Sequence, residues 1–299
     1  MITQVDALDD LHLIDTKFHG GKNHVGAYLL DSEKPVLLDA GASTGVDTLL
    51  EGIVTSGMVP DDLEYIFLSH MHLDHAGGAG YLLESCSNAS VVCHRDSVSY
   101  LSEPEKIDRL VRSSYRAVGD LAEAYGDLEA IPERRFQSVT GGDVIDLGDR
   151  TMRVIESGGH SPYHLAFYEP QAKFLYVGDA AGMWIDNTVL PATPPPSFDF
   201  EKAIKTIDDL RDLEVKHLVY PHFGVRSDGD EGLTDYRSVL TEWVSSVEEA
   251  YDRLQDEQDV VELMVEQTQK HFEIWDESIA RQTIETDTTG VIGYLNDRE

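Results

Sequence analysis

Along the chain, short apolar runs alternate first with tight turns and then with stretches of helical spacing. "GAYLLD" and "PVLLDAG" flank the polar turn "SEK", which predicts a β-hairpin. "GVDTLLEGIVTSG" carries its apolar residues at the helical period, and the strand "YIFLSH", a helix near "AGGAGYLLES" and the strand "ASVVCH" follow it. Residues 104–130 return to helical spacing and read as a helical insertion. Four further strands come next: "DVIDLG", "TMRVIES", "LAFYEP" and "KFLYVGD". The prolines of "PATPPPSFD" impose an extended segment. It delivers the chain to the helix "FEKAIKTIDDLRDL", where Phe200, Ile204, Ile207 and Leu210 share one face. One more strand, "HLVYPH", precedes a helical C-terminus from about 233 to 284. Strands alternating with helices predict an α/β fold with helices packed on sheets. Residues 1–232 form the main domain in this reading, and 233–299 a helical extension packed on it.

Five of the apolar runs finish on an acid or a histidine: Asp39, His70, His160 (just past its strand), Asp179 and His222. Each has glycine close by in the sequence. Strand ends along one edge of a sheet are where α/β proteins gather functional groups. One of these ends is richer than the others. In "YIFLSHMHLDHAGG" an apolar run gives way at once to His70, His72, Asp74 and His75, and then to Gly77 and Gly78. Three imidazoles and a carboxylate on one turn are poor material for a core, and they are the usual ligands of zinc and similar ions.

These segments resemble the metallo-β-lactamase superfamily. "HMHLDH" is similar to its HxHxDH signature, "LLDAG" to its first motif, "GGHSPYH" to its third, "GDAAG" to its fourth and "PHFG" to its fifth, in the same order over residues 24–226. The pattern is nearest to the stand-alone hydrolases similar to glyoxalase II. The resemblance implies a four-layer αβ/βα sandwich with a dinuclear site at its edge. It implies that His70, His72 and His160 hold one metal, that Asp74, His75 and His222 hold a second, and that Asp179 bridges them. Asp39 would fix a ligand imidazole from behind. The expected cofactor is two zinc ions, with iron or manganese as alternatives. The activity implied is hydrolysis of a small ester, thioester or lactone, in which a metal-bound hydroxide attacks the carbonyl and Asp74 both ligates and orients it. A mononuclear iron enzyme of the persulfide dioxygenase type, using His70, His160 and Asp179, is the alternative enzyme. A non-catalytic metal-binding protein is the alternative outside the enzymes.

Other side chains near these motifs are candidates for the substrate pocket. Tyr163 and Tyr220 flank ligands, His164 lies four residues after His160, and His94 follows a strand. For both histidines a structural role in holding a loop competes with a place at the cleft.

Composition narrows the field. Lys and Arg total 23 against 56 Asp and Glu, a formal charge of −33. Such a field argues against nucleic acid as a simple electrostatic partner, and the partner the resemblance implies is a small-molecule substrate. The acids are dispersed, as on a solvated acidic surface suited to a salt-rich cytosol. No apolar run is long enough to cross a bilayer. The N-terminus has no basic start followed by an apolar block, so the cytoplasm is the default location. Cys86 and Cys93 are too few for a disulfide scaffold or a thiolate zinc knuckle. The C-terminal helices could cover the site or build a homodimer.

Overall fold

The computed structural model describes residues 2–272 and 275–298. Its centre is a pair of stacked sheets. The first contains β1 (Ile2–Val5), β2 (Leu8–Asp15), β3 (Gly26–Leu30), β4 (Val36–Leu38), β5 (Tyr65–Phe67), β6 (Ser90–His94) and β7 (Phe136–Val139), side by side in chain order. β1 to β4 pair antiparallel and β4 to β7 parallel. The second contains β8 (Val144–Asp146), β9 (Thr151–Glu156), β10 (Leu165–Glu169) and β11 (Phe174–Tyr176). A separate hairpin, β12 (Met183–Ile185) and β13 (Thr188–Leu190), comes next in the chain. The second sheet is then completed by β14 (His217–Tyr220) and β15 (Gly224–Arg226). Only β11 and β14 run parallel within it.

The central strands β3, β4, β10, β11 and β14 are buried along their whole length, because both faces of each sheet are covered there. Side chains alternate between two cores, as the two-residue period of a strand requires. Tyr28, Leu30, Val36, Leu38, Phe67 and Val92 point inward and meet Phe167, Phe174, Tyr176 and Val219 of the second sheet. Their neighbours Ala27, Leu29, Leu37, Ile66 and Val91 point outward. On that outer face lie α1 (Val46–Thr55), the four-residue α2 (Leu73–Ala76), α3 (Ala79–Ser85), α4 (Val98–Ser102) and α5 (Pro104–Val118), with α6 (Ala122–Tyr125) following. The outer face of the second sheet is covered by α7 (Phe200–Arg211), α8 (Gly229–Leu254), α9 (Glu257–Thr268) and α10 (Glu277–Asp297). Helix, sheet, sheet, helix is the four-layer αβ/βα sandwich expected from the sequence.

Two strands, β1 and β2, precede the hairpin named from the pattern, and β7, β12, β13 and β15 lie in stretches where no strand was expected. In β2 the acids Asp9 and Asp10 are exposed and break the apolar run. The helical C-terminus begins at Gly229 and continues to Asp297, past the expected limit of 284. The sequence of α10 is rich in Thr and contains Gly290 and Gly293, all weak helix formers. Tertiary packing overrides that propensity: Gly290 lies so close to the Thr193 carbonyl that a Cβ there would sit 1.8 Å from its oxygen. Among the described residues no helix is long and apolar enough to cross a membrane.

Candidate metal centre

The site forms where carboxyl ends of strands from both sheets meet. β4 ends one residue before Asp39, and β5 leads through Ser69 into the turn from His70 to His75. In the second sheet the turn between β9 and β10 carries His160, while β11 and β14 lead to Asp179 and His222. Three sets of side chains converge there: His70, His72 and His160; His70, His75 and Asp179; and Asp74, His75 and His222. Within each set the ligand atoms lie no more than 4.8 Å apart. His160 Nε2 lies 3.1 Å from His72 Nδ1, and His222 Nε2 lies 3.3 Å from His75 Nε2. Asp179 Oδ2 sits between the groups, 3.3 Å from His160 Nε2 and 3.4 Å from His75 Nε2.

Hydrogen bonds behind four of the imidazoles fix which nitrogen faces the centre. Asp39 organises two of them. Its Oδ2 accepts from His75 Nδ1 at 2.7 Å, from Ser69 Oγ at 2.8 Å and from the Tyr176 hydroxyl at 2.7 Å. Because Ser69 gives its proton to Asp39, its oxygen accepts from His70 Nδ1 at 3.0 Å. His160 Nδ1 donates to the Ala192 carbonyl at 3.0 Å, and His222 Nδ1 to the His24 carbonyl at 2.7 Å. Each of these rings therefore turns its Nε2 toward the centre, the arrangement that orients metal-ligating histidines.

Two observations show that the residues fit a cation. His70 Nε2 and Asp179 Oδ1 are buried with no hydrogen-bond partner among the described residues. Unsatisfied buried groups are costly, and here they face their fellow ligands. The electrostatics agree. Burial, reinforced by the surrounding imidazoles, drives His70 well below its ordinary pKa and His72 down to about 3. Burial works to raise Asp74 and Asp179, but His75 and His222 outweigh it, so Asp74 falls to about 2 and Asp179 well below the carboxylate range. Burial pulls His75 and His222 down, but Asp179 with Asp74 raises both above the ordinary value. The second group thus attracts positive charge at the place where a metal would displace a proton.

The centre lies in the wall of a cavity of about 460 Å³. α5 and α10 form one side, with Leu110, Val118 and Ile279 facing in, and the segment Pro194–Ser197 forms another. Of the four side chains expected at the pocket, Tyr163 lines it and the other three do not. His94 lies behind Tyr163, stacked on it at 5.2 Å, and its Nδ1 accepts from the Asp96 amide. His164 has both ring nitrogens engaged: Nε2 accepts from the Asp179 amide at 3.1 Å, so Nδ1 carries the proton and donates to Ser157 Oγ at 2.8 Å. Its role is to hold the Asp179 backbone in place. Tyr220 packs into the core under α8, with its hydroxyl unpartnered among the described residues. The pocket residues not anticipated from sequence include His24, Arg109, Tyr125, Trp275 and Asp287. They come from loops and helices far apart in the chain, and no local spacing marks them.

A four-layer sandwich with a histidine–aspartate cluster at converging strand ends defines a class of metalloproteins. The chain belongs to the Metallo-beta-lactamase superfamily, whose sequence profile matches residues 20–222. It is 30% identical over 202 residues to the Metallo-beta-lactamase fold-containing protein ST1585 of Sulfurisphaera tokodaii, covering 67% of this chain and 73% of that one. The crystal structure of ST1585 superposes with a TM-score of 0.72 at 26% identity, over 94% of this chain and 98% of the other. An N-acyl homoserine lactonase of Bacillus cereus is 24% identical, with 70% of this chain and 83% of the lactonase covered. An acyl-coenzyme A thioesterase of Gallus gallus is 26% identical, with 71% and 77% covered.

Proposed function

We propose that this chain is a dinuclear zinc hydrolase acting on a small ester, thioester or lactone. The observation that carries this reading is the pair of ligand groups sharing Asp179, with its Oδ2 within 3.4 Å of a histidine nitrogen from each. His70, His72 and His160 would hold one ion, Asp74, His75 and His222 the other, and Asp179 would bridge them. Two bound ions would supply an activated water and polarise a carbonyl oxygen. The chain's own residues do the rest. Asp74, whose side chain is 15% exposed and lies 3.5 Å from His222 Nε2, is placed to hold the nucleophilic water through a hydrogen bond. The apolar wall from α5 and α10 receives the acyl part and limits competing water. Lactonase and thioesterase relatives support a carbonyl substrate, and the order of the five motifs supports the glyoxalase II-like plan. Residues 233–299 complete the same folding unit as 1–232, a reading supported by the core that α8, α9 and α10 share with the second sheet.

Metal content tests the reading. Protein purified without chelator should carry about two zinc per chain, the stoichiometry of a two-metal site. Asp179→Ala should lose most of both ions and lower kcat/KM for a thioester by at least about a hundredfold, in line with loss of a metal-bridging group. One iron per chain would replace this reading with the mononuclear dioxygenase. Full metal content and activity in Asp179→Ala would remove the bridging role.

A further inference from the structure

Among the described residues the cavity wall carries a single Lys or Arg, and it lacks an acidic partner there. Arg109 lies on the face of α5 that lines the cavity. Its Nε donates to the Glu105 carbonyl of its own helix at 3.4 Å. Its terminal N–H groups have no partner among the described residues, and no carboxylate there lies within 4.0 Å of it. Several other bases also lack an ion pair among the described residues, so what distinguishes Arg109 is its place on the cavity wall. Arg150, Arg226 and Arg237 each hold at least one carboxylate. Arg116, two turns further along α5, likewise has no ion-pair partner among the described residues, with its Nε on the Arg112 carbonyl. The two guanidiniums stand about 10 Å apart along this edge of the helix, given its rise, and of the two Arg109 lines the cavity.

The acids on the cavity wall do not neutralise this edge. Asp74 and Asp179 belong to the centre, and Asp287 accepts from the Thr193 amide at 2.5 Å. Nor is the edge explained by folding, since Arg109 is exposed. An unpaired guanidinium on the cavity wall is a ready partner for carboxylate or phosphate, through charge-assisted and bidentate hydrogen bonds. It also offsets locally a surface that would repel an anion.

We propose that Arg109 is a specificity residue, and that the substrate is an acyl compound carrying an anionic group, carboxylate or phosphate, which pairs with Arg109 while its apolar part lies along α5 and α10. The carbonyl chemistry in this statement rests on the hydrolase reading above, so the test measures binding and turnover separately. For binding, titration calorimetry compares 6-acetamidohexanoate, 6-acetamidohexyl phosphate and the neutral 6-acetamidohexanamide on metal-loaded protein at fixed KCl. Wild type should bind at least one anion roughly five- to tenfold more tightly than the amide, the scale of one charge-assisted contact. The tighter of the two identifies the natural group. Arg109→Ala should bring that ratio to about one, and Arg109→Lys should keep part of it, since it retains charge but not the fork. Equal affinities in wild type, including no binding of any probe, would overturn the proposal. So would a preference that survives in Arg109→Ala, because the metal centre alone would then be capturing the anion. For turnover, the methyl thioester of adipate is compared with that of hexanoate. If the binding ratios are as expected but neither thioester is cleaved, the anion subsite stands and the hydrolase reading fails.

Discussion

Asp39 shows how much one side chain can organise. Its backbone is held in the left-handed region at φ 58°, which Asp tolerates better than most residues. The carboxylate accepts from the Ser69 amide at 2.7 Å through Oδ1, while Oδ2 serves Ser69, His75 and Tyr176. Ser69 and His75 belong to the segment after β5, and Tyr176 to β11, so this buried carboxylate ties the two sheets together behind the candidate metal ligands. Asp39→Asn removes the charge and leaves one face of the group unable to accept. Affinity for an added divalent metal should fall roughly 10- to 100-fold, the range for groups that orient metal-bound imidazoles. Competition with a chromophoric chelator measures this, and unchanged affinity would show that His75 is held by other contacts.

At the scale of elements, the C-terminal helix is more than a covering layer. α10 buries Ile279, Ile284, Val291 and Ile292 against the second half of the molecule. It also grips the segment that orients His160. Asp287 Oδ1 accepts from the Thr193 amide, and its backbone carbonyl accepts from Thr193 Oγ1 at 2.8 Å. Trp243 of α8 donates to that same hydroxyl at 3.1 Å. One residue earlier, the Ala192 carbonyl accepts from His160. Burial raises the Asp287 carboxyl to about 8. A carboxyl with a folded pKa above its unfolded value of about 3.9 holds its proton more tightly when folded. Its contribution is therefore fully present below about pH 4 and is lost as pH rises toward 8. Asp287→Asn keeps an acceptor for Thr193 without the titration. In metal-free protein the variant should be more stable than wild type at pH 8 by a few kcal/mol at most, with the gap closing toward pH 4. Thermal melts at several pH values read this directly, and a gap independent of pH would mean that Asp287 does not titrate in this range.

For the whole molecule, the net charge of −33 sets the conditions under which the fold is stable. Most of the acids are exposed, on helix faces, loops and strands alike, where repulsion acts through solvent and is screened by salt. Many of the cations are used locally: Arg150 reaches Asp10 across the chain at 2.7 Å, and Arg226 holds Asp228 and Asp235. The remaining acids have few counter-charges of their own. Melting temperature should therefore rise by several degrees between about 0.1 and 2 M KCl, because the Debye length drops from about 10 Å to about 3 Å or less over that range. A melting temperature that is constant or falls with KCl would show that repulsion among these acids does not limit the stability of the fold.

The sequence by itself determined the layer class and the clustering of His70, His72, Asp74 and His75. Apolar periodicity and adjacent ligands are local properties, written within a few residues of each other. It marked Asp39, His160, Asp179 and His222 as strand-end groups for the same reason. It left β1, β2, β7 and the last turns of α10 unmarked, because exposed acids, short runs or weak helix formers hide an element that packing stabilises. It also did not separate Tyr163, which lines the cavity, from Tyr220, which is buried beneath it, since both simply stand beside ligands in the chain. Only the tertiary structure decided those directions, and with them the partners: Ser69 and Tyr176 on Asp39, Ala192 behind His160, Asp287 on Thr193. These contacts join residues from distant segments, and what fixes them is the packing of two sheets and their helices around buried polar groups that must each find a hydrogen bond.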